Sequence, residues 1–456
     1  MRIIKTEVLI IGGGAAGLNT ALNIKGKSTM IIERTGSNSL LCPWNLMLKP
    51  KKELKKNILE TGINMNEISL VNTFLEDYKI IIKDLKKLGI KFRKSNIGIV
   101  PDYPFPGSEV RKIFIKKLNK KNVKILKGEI QKFLTTKNNE IIGIEGNIFS
   151  SKEKIRIFFN DLILAGGGLS GFFQFTTGSV YSDGSILSLC HETNFKMRDL
   201  EFFMFHPFLI VDKRLPRALV SGDILTKMEY EDEKGNNFLS RKVSEALKIN
   251  KHHHIFPQMV KEFYFQSLKS QIYGKLICSE EWFKEYQEKN EFGFIFKNLK
   301  VSDIKKIKIH PAFHFSIGGL VINKNSQTSK KNVYAAGEIT GGLHGYNRIG
   351  GLAILEALTF GKRAALDINK KIKRNILIPD KFKKVGKLGF SNKRKKEVWK
   401  TLGPIKNKKI LEKIKKELKE KRKLTSQEKL FLKIIELSLI RKNSVGSFYR
   451  DDFIKI

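Results

Sequence analysis

The chain is poor in cysteine, with three in 456 residues (Cys42, Cys190 and Cys278) and no CxxC pair. That scarcity excludes a disulfide framework, a structural zinc site and the ligand set of an iron–sulfur cluster. No apolar run approaches the roughly 20 residues needed to cross a bilayer. The first apolar strand starts almost at once, so no secretory leader is expected and a reducing cytoplasm is the expected compartment. Acidic residues are also scarce: 45 Asp and Glu stand against 86 Lys and Arg, a net charge of +41. The excess is mostly lysine spread along the whole chain. Its densest runs, Lys49–Lys56, Lys393–Lys396 and Lys406–Lys423, lack the interleaved aromatics of a base-stacking groove. They read as solvated helix faces, and no dedicated nucleic-acid site is expected. A field of this sign attracts acidic partners or an anionic membrane surface, and it speeds encounter with a dianionic substrate.

What is present begins at residue 8. Val8-Leu9-Ile10-Ile11 has the length and branching of a buried parallel strand. It runs into Gly12-Gly13-Gly14-Ala15-Ala16-Gly17 and then a helical pattern through Leu18, Ala21, Leu22 and Ile24. Gly12 permits the tight turn, Gly14 lets a pyrophosphate approach the backbone, and Gly17 lets helix and strand pack closely. A second strand, Thr29–Ile32, ends in Glu33, about twenty residues past the first glycine, where a carboxylate binds ribose hydroxyls. Together these features predict a site for an ADP-containing cofactor.

Farther along, apolar spacing predicts helices over Met65–Leu88, ended by Gly89, and over Ser108–Leu118. Strands are predicted over Val123–Phe133, Ile141–Ile144, Ile155–Phe159 and Asp161–Leu164, the last leading into Ala165-Gly166-Gly167-Gly168. The expected fold class is α/β: a Rossmann-like nucleotide-binding domain interrupted by an inserted α+β domain, with a C-terminal helical domain. The expected boundaries are 1–206 and 309–385 for the two parts of the nucleotide domain, 207–308 for the insertion and 386–456 for the helical region. In the last, Ile410, Leu411, Ile414 and Leu418 mark one stripe, and a capping box at Thr425–Glu428 opens the next helix.

Three short segments carry further chemistry. Glu201–Pro207 places His206 at the end of an apolar strand, and His310–Gly319 places His310 and His314 near a glycine turn. Gly341–Gly351 holds a single arginine, Arg348, in a glycine-rich loop. An arginine there can fork onto a carboxylate, and nearby imidazoles can donate to a second one, which suggests a site for a small dicarboxylate.

In order and wording these segments resemble the flavoprotein family of succinate dehydrogenase, fumarate reductase and L-aspartate oxidase. The likeness runs through GGGAAG, LILAGGG, MRDLEFFMFHP, HFSIGGLVIN, VYAAGEITGGLHGYNRIGG and IELSLIRKNSVGSFYRDDF. It implies FAD, a capping domain over the flavin, and hydride transfer between flavin and the substrate's carbon skeleton. It also implies that His206, His314 and Arg348 hold the substrate's carboxylates. Flavin contacts are implied at Gly12, Gly14, Ala15, Ala16, Gly17, Glu33, Arg34, Ala165, Gly166, Gly167, Asp183, Gly337, Glu338 and Leu355.

Three departures refine the resemblance. Family members that bind FAD covalently use a histidine soon after the ribose acid. Here Ser37–Leu48 contains none, so non-covalent FAD is expected. A proton-relay Glu and Arg are replaced by Gly222 and Leu225 within Leu219–Thr226. The capping-domain stretch Asn250–Lys261, where a proton-transferring arginine is expected, has none; Arg241 is the nearest. His252–His254 stands there instead, as an acid–base imidazole or as a polar loop. The leading reading is a fumarate reductase or succinate dehydrogenase-type flavoprotein, with L-aspartate oxidase as the alternative. A third is a degenerate flavin-binding protein whose basic surface serves RNA or assembly. A quinone, oxygen or an electron-transfer subunit would accept electrons, and peripheral attachment to the inner face of a membrane is compatible with the charge.

Overall fold

A computed structural model describes the chain except residues 35–36, 96, 220–221, 249–251, 291 and 454–456, and the side chains of 38, 41, 222, 248 and 252–256. The first strand, Arg2–Ile11, is longer than its apolar run, because its polar beginning pairs in parallel with Ile155–Phe159. Its buried half, Val8–Ile11, lies between Thr29–Ile32 and Asp161–Leu164, both parallel to it. Lys124–Thr135 extends the sheet beside Thr29–Glu33, and Val333–Ala335 extends it beside Leu162–Leu164, again in parallel. The strand Ile141–Ile148 runs antiparallel to both Lys124–Thr135 and Lys154–Leu164. The segments expected as Ile155–Phe159 and Asp161–Leu164 form one strand, Lys154–Leu164, since Asn160 breaks the apolar pattern but not the pairing.

This order sends four strand ends to one edge of the sheet. Ile11, Glu33, Leu164 and Ala335 finish there, and glycine-bearing turns follow Ile11, Leu164 and Ala335. The hydrogen bonds of Gly12 N–H to Ile32 O (2.9 Å), Ala165 N–H to Ile11 O (2.8 Å) and Ala336 N–H to Leu164 O (3.1 Å) stitch the turns together. Ligands of open parallel sheets bind outside these carboxyl ends.

A second sheet, antiparallel, contains in spatial order Phe203–Ile210, Lys306–Ser316, Ile272–Leu276 and Met228–Glu231. It has its own apolar cluster, including Phe208, Tyr230, Phe263, Phe296 and Ile307. Its two long strands run through residues 206/207 and 308/309, so the expected cap boundaries fall inside strands shared with the rest of the molecule. The helix His252–Ser267 replaces the polar loop expected at His252–His254; its buried face of Met259, Val260 and Phe263 draws the segment into helix. The imidazoles of His252–His254 lie outside the described residues.

The predicted helices occur as Ile68–Lys87 and Pro106–Lys120, and a further helix spans Ala353–Asn369. In the basic C-terminal region, Asn392–Leu402, Lys408–Glu420 and Ser426–Ile440 are helical, the last opened by the Thr425–Glu428 capping box. Leu411, Ile414 and Leu418 are buried, whereas Ile410 faces solvent, one step off the stripe. Among the described residues no helix is long and apolar enough to cross a membrane.

Candidate active site

A cleft of about 2280 Å³ lies between the two sheets. Its floor is the glycine edge. Gly12 has φ +111°, and a Cβ there would stand 2.1 Å from Ala165 O. At Gly17 a Cβ would stand 1.9 Å from Gly12 O, so this glycine serves helix–strand contact and does not line the cleft. Gly14 differs: the nearest atom a Cβ would meet is Ser39 Oγ, at 3.5 Å, and the backbone faces the cleft. Gly14 also begins the first helix, Ala15–Asn23, without a side-chain cap, and Ser39 Oγ accepts the Ala15 N–H (3.1 Å). Glu33 is buried at the end of its strand, paired with Arg111 (2.6 Å) and Lys127 (2.5 Å).

Of the expected cofactor contacts, Gly12, Gly14, Ala15, Ala16, Glu33, Arg34, Ala165, Gly166, Gly167, Gly337 and Glu338 line this cleft. Two others stand behind it. Asp183 pairs with Arg34 (2.7 Å) and accepts the Ser185 N–H (3.1 Å), holding Arg34 in place. Leu355 is fully buried, and Ala353, Ile354 and Ala357 of its helix face the cleft instead, as helical periodicity requires.

The other end of the cleft gathers the predicted substrate residues. His206 pairs with Ala312 across neighbouring strands, so His314, two residues on, shares its face. The two imidazole rings lie 5.8 Å apart. His206 Nδ1 is engaged by the Phe208 backbone (3.1 Å), and His314 Nδ1 lies 2.8 Å from Thr177 Oγ1. Burial, with Arg348 and His206 nearby, pushes the His314 imidazole well below the usual histidine range, so it is neutral at pH 7.

Arg348 reaches the same place from the loop Gly341–Gly351. That loop is braced by Tyr346 stacked on Phe202 (4.1 Å), by Gly446 packed on Tyr346, and by the buried His344–Glu356 pair (2.8 Å). Arg348 is only 8% exposed, and its guanidinium lies 4.3 Å over the Phe315 ring. Its Nη2 meets Met204 Sδ at 3.7 Å, and its buried Nε has no hydrogen-bond partner. Burial lowers its pKa, opposed by Glu338, Glu356 and Cys42. A buried guanidinium with an unsatisfied N–H, next to two imidazoles, is built to receive an anion.

The expected Arg241 does not join this group. Its side chain is 92% exposed and paired with Glu245 (2.7 Å), because the helix Arg241–Lys248 turns that position outward. The cap instead presents Arg217 and Lys261 to the cleft. Arg217, exposed at the rim, donates to Gln174 O (2.8 Å) and lies over Phe175 (5.9 Å); partial desolvation lowers its pKa. Lys261 lies 3.6 Å over the ring of Tyr449, another residue lining the cleft. His310 is stacked on Phe175 (3.6 Å) and pushed down to about 4, chiefly by burial, so it is neutral at pH 7, and it does not line the cleft. Arg217 carries no signal in its own segment; only the packing of Phe175 and the cap shows its place.

Comparison with known proteins agrees with this geometry. Residues 83–354, more than half of the chain, match the FAD binding domain family. The L-aspartate oxidase of Clostridium perfringens is 27% identical over 80% of this chain and 87% of its own length. A component of the fumarate reductase (CoM/CoB) of Methanothermobacter marburgensis is 22% identical over 80% of this chain and 72% of its own. A structure of E. coli quinol fumarate reductase superposes with TM-score 0.78 at 16% identity, covering 99% of this chain and 92% of that one.

Proposed function

From the premise that this chain belongs to the FAD binding domain family, and is an FAD-dependent oxidoreductase of the fumarate reductase and L-aspartate oxidase group, we propose that its substrate is a small dicarboxylate. The observation that carries this reading is the buried Arg348, with its unpartnered Nε, facing the same cleft as His206 and His314. When bound, FAD supplies the acceptor or donor of a hydride. The cradle fits that group: the Gly14 backbone is open to the cleft and an acid ends the second strand. Gly12–Ala16, Glu33, Arg34, Ala165–Gly167, Gly337 and Glu338 would hold it. We propose non-covalent attachment. Ser37–Leu48 lacks histidine, and the thiol of Cys42, which lines the cleft, is pushed up to about 11 by burial and so is a weak nucleophile at neutral pH.

Arg348 forks onto one carboxylate, and the imidazoles of His206 and His314 orient the other. Drawing electron density toward these donors polarises the C2–C3 bond. We assign proton transfer to Arg217 rather than Arg241. It lines the cleft from the cap side, and partial desolvation lowers its pKa, which favours giving up a proton. The favoured pair is fumarate and succinate; L-aspartate is the second reading, supported by the 27% identity to the clostridial oxidase. Electrons would pass to a quinone, to oxygen or to a protein partner, in a cytoplasmic protein with peripheral membrane attachment.

The test is anaerobic titration of the yellow protein with succinate and with L-aspartate, followed by absorbance. Bleaching by succinate supports the favoured pair, and bleaching by aspartate alone moves the assignment to the oxidase. Failure of both, and of fumarate to reoxidise chemically reduced protein, removes the dicarboxylate. Acid precipitation should leave the colour in the supernatant; colour in the pellet overturns non-covalent attachment.

A further inference from the structure

We propose that Arg111 is a positioning residue for the ADP half of the cofactor, holding Glu33 against the glycine turn. Arg111 belongs to the helix Pro106–Lys120, which packs on the first helix. The start of that helix sits tightly against the chain at residues 39–42: a Cβ on Gly107 would stand 2.3 Å from Ser39 O and 2.8 Å from Cys42 O. Val110, Phe114 and Leu118 anchor its inner face, so Arg111 has little room to drift.

From there the guanidinium divides its donors. Nη1 donates to the carbonyl of Gly13, inside the turn, and Nη2 donates to Glu33 Oε1 (2.6 Å). Lys127 donates to the same Oε1 (2.5 Å). The other oxygen, Oε2, lies over Gly13, only 1.6 Å from where a Cβ on that glycine would stand. Both cation contacts therefore fall on one oxygen, and the second is held at the glycine edge, where ribose hydroxyls would meet it. One fork thus ties together the first turn, the end of the second strand and a separate helix. Lys127 is about half exposed and contributes charge, whereas Arg111 is 16% exposed and sets direction. Neither lines the cleft, so Arg111 acts through Glu33.

The inference rests on the FAD assignment and not on the substrate, so it stands or falls separately from the dicarboxylate reading. The experiment compares wild type with Arg111→Met, Arg111→Lys and Glu33→Gln, each stripped of flavin and titrated with FAD, ADP and FMN. Flavin fluorescence quenching reports FAD and FMN, and calorimetry reports ADP. Arg111→Met should weaken FAD and ADP by about 10- to 100-fold, the size of a lost charged hydrogen bond, and leave FMN unchanged. Arg111→Lys keeps the charge without the fork and should recover only part of the loss. The Arg111→Met/Glu33→Gln double variant should be no weaker than the worse single one. Unchanged FAD and ADP affinity in Arg111→Met would overturn the proposal, as would an equal loss of ADP and FMN. Should Arg111→Met not fold, Arg111→Lys decides: wild-type FAD affinity there refutes the role of the fork.

Discussion

The floor of the cleft and its cap reach function by different means. On the floor, what counts is backbone: Gly12, Gly14 and Gly337 follow the ends of parallel strands and present side-chain-free surface to the cleft. In the cap, what counts is which side chain turns inward, and Arg217 and Lys261 do so while Arg241 does not. Glycines in and beneath the floor tolerate little substitution where the nearest neighbour is backbone, as at Gly12 in the floor and Gly17 behind it. The cap can relocate a cation from one element to another.

The sharpest way to break this contrast is at Gly17. A valine there would drive Cβ to 1.9 Å from Gly12 O. Gly17→Val should cost about 3 kcal/mol or more and abolish flavin binding, read as loss of yellow colour and of a cooperative melt. Next is Arg348→Met, which should weaken dicarboxylate binding by about 10² to 10³-fold with flavin still bound, measured by spectral titration. Unchanged affinity would remove Arg348 from the anion pocket. Arg217→Met should lower kcat by about 10²-fold with little change in KM; a loss confined to KM would make Arg217 a binding group only.

Lys406 tests the seam between floor and C-terminal region. Its ammonium is fully buried near Phe448 (4.8 Å), and burial lowers its pKa to about 7, opposed by Glu201. The unfolded lysine titrates near 10.4, so between about pH 7 and 10 the unfolded state binds more protons and stability rises with pH. That gain, on the order of 3 kcal/mol, should disappear in Lys406→Met, as followed by urea denaturation across that range. The smallest effect belongs to Arg241→Ala. An exposed i,i+4 pair with Glu245 contributes little, so stability should change by less than about 0.5 kcal/mol and turnover should be unaffected. A large loss of turnover would restore Arg241 to the mechanism.

Legibility in the sequence follows the same division. Gly12, Gly14, Gly17 and Glu33 can be read because strand, turn, helix and strand lie within some thirty residues and each has a local steric reason. His206 and His314 can be read as chemistry-bearing, but their shared face depends on the pairing of His206 with Ala312 across more than a hundred residues. Leu355 is expected in the cradle by resemblance; the rotation of its helix puts Ala353, Ile354 and Ala357 there instead. Arg111 cannot be read at all, because nothing near it in the chain marks it, and its two acceptors, Gly13 and Glu33, lie far upstream.

The sequence by itself determined the βαβ unit, the glycine cradle and the family resemblance, because short-range sterics and strand burial leave few alternatives there. Only the tertiary structure decided which cations face the cleft. That depends on which side of a cap helix packs against the second sheet, and on how the helix carrying Arg111 docks beside the glycine turn.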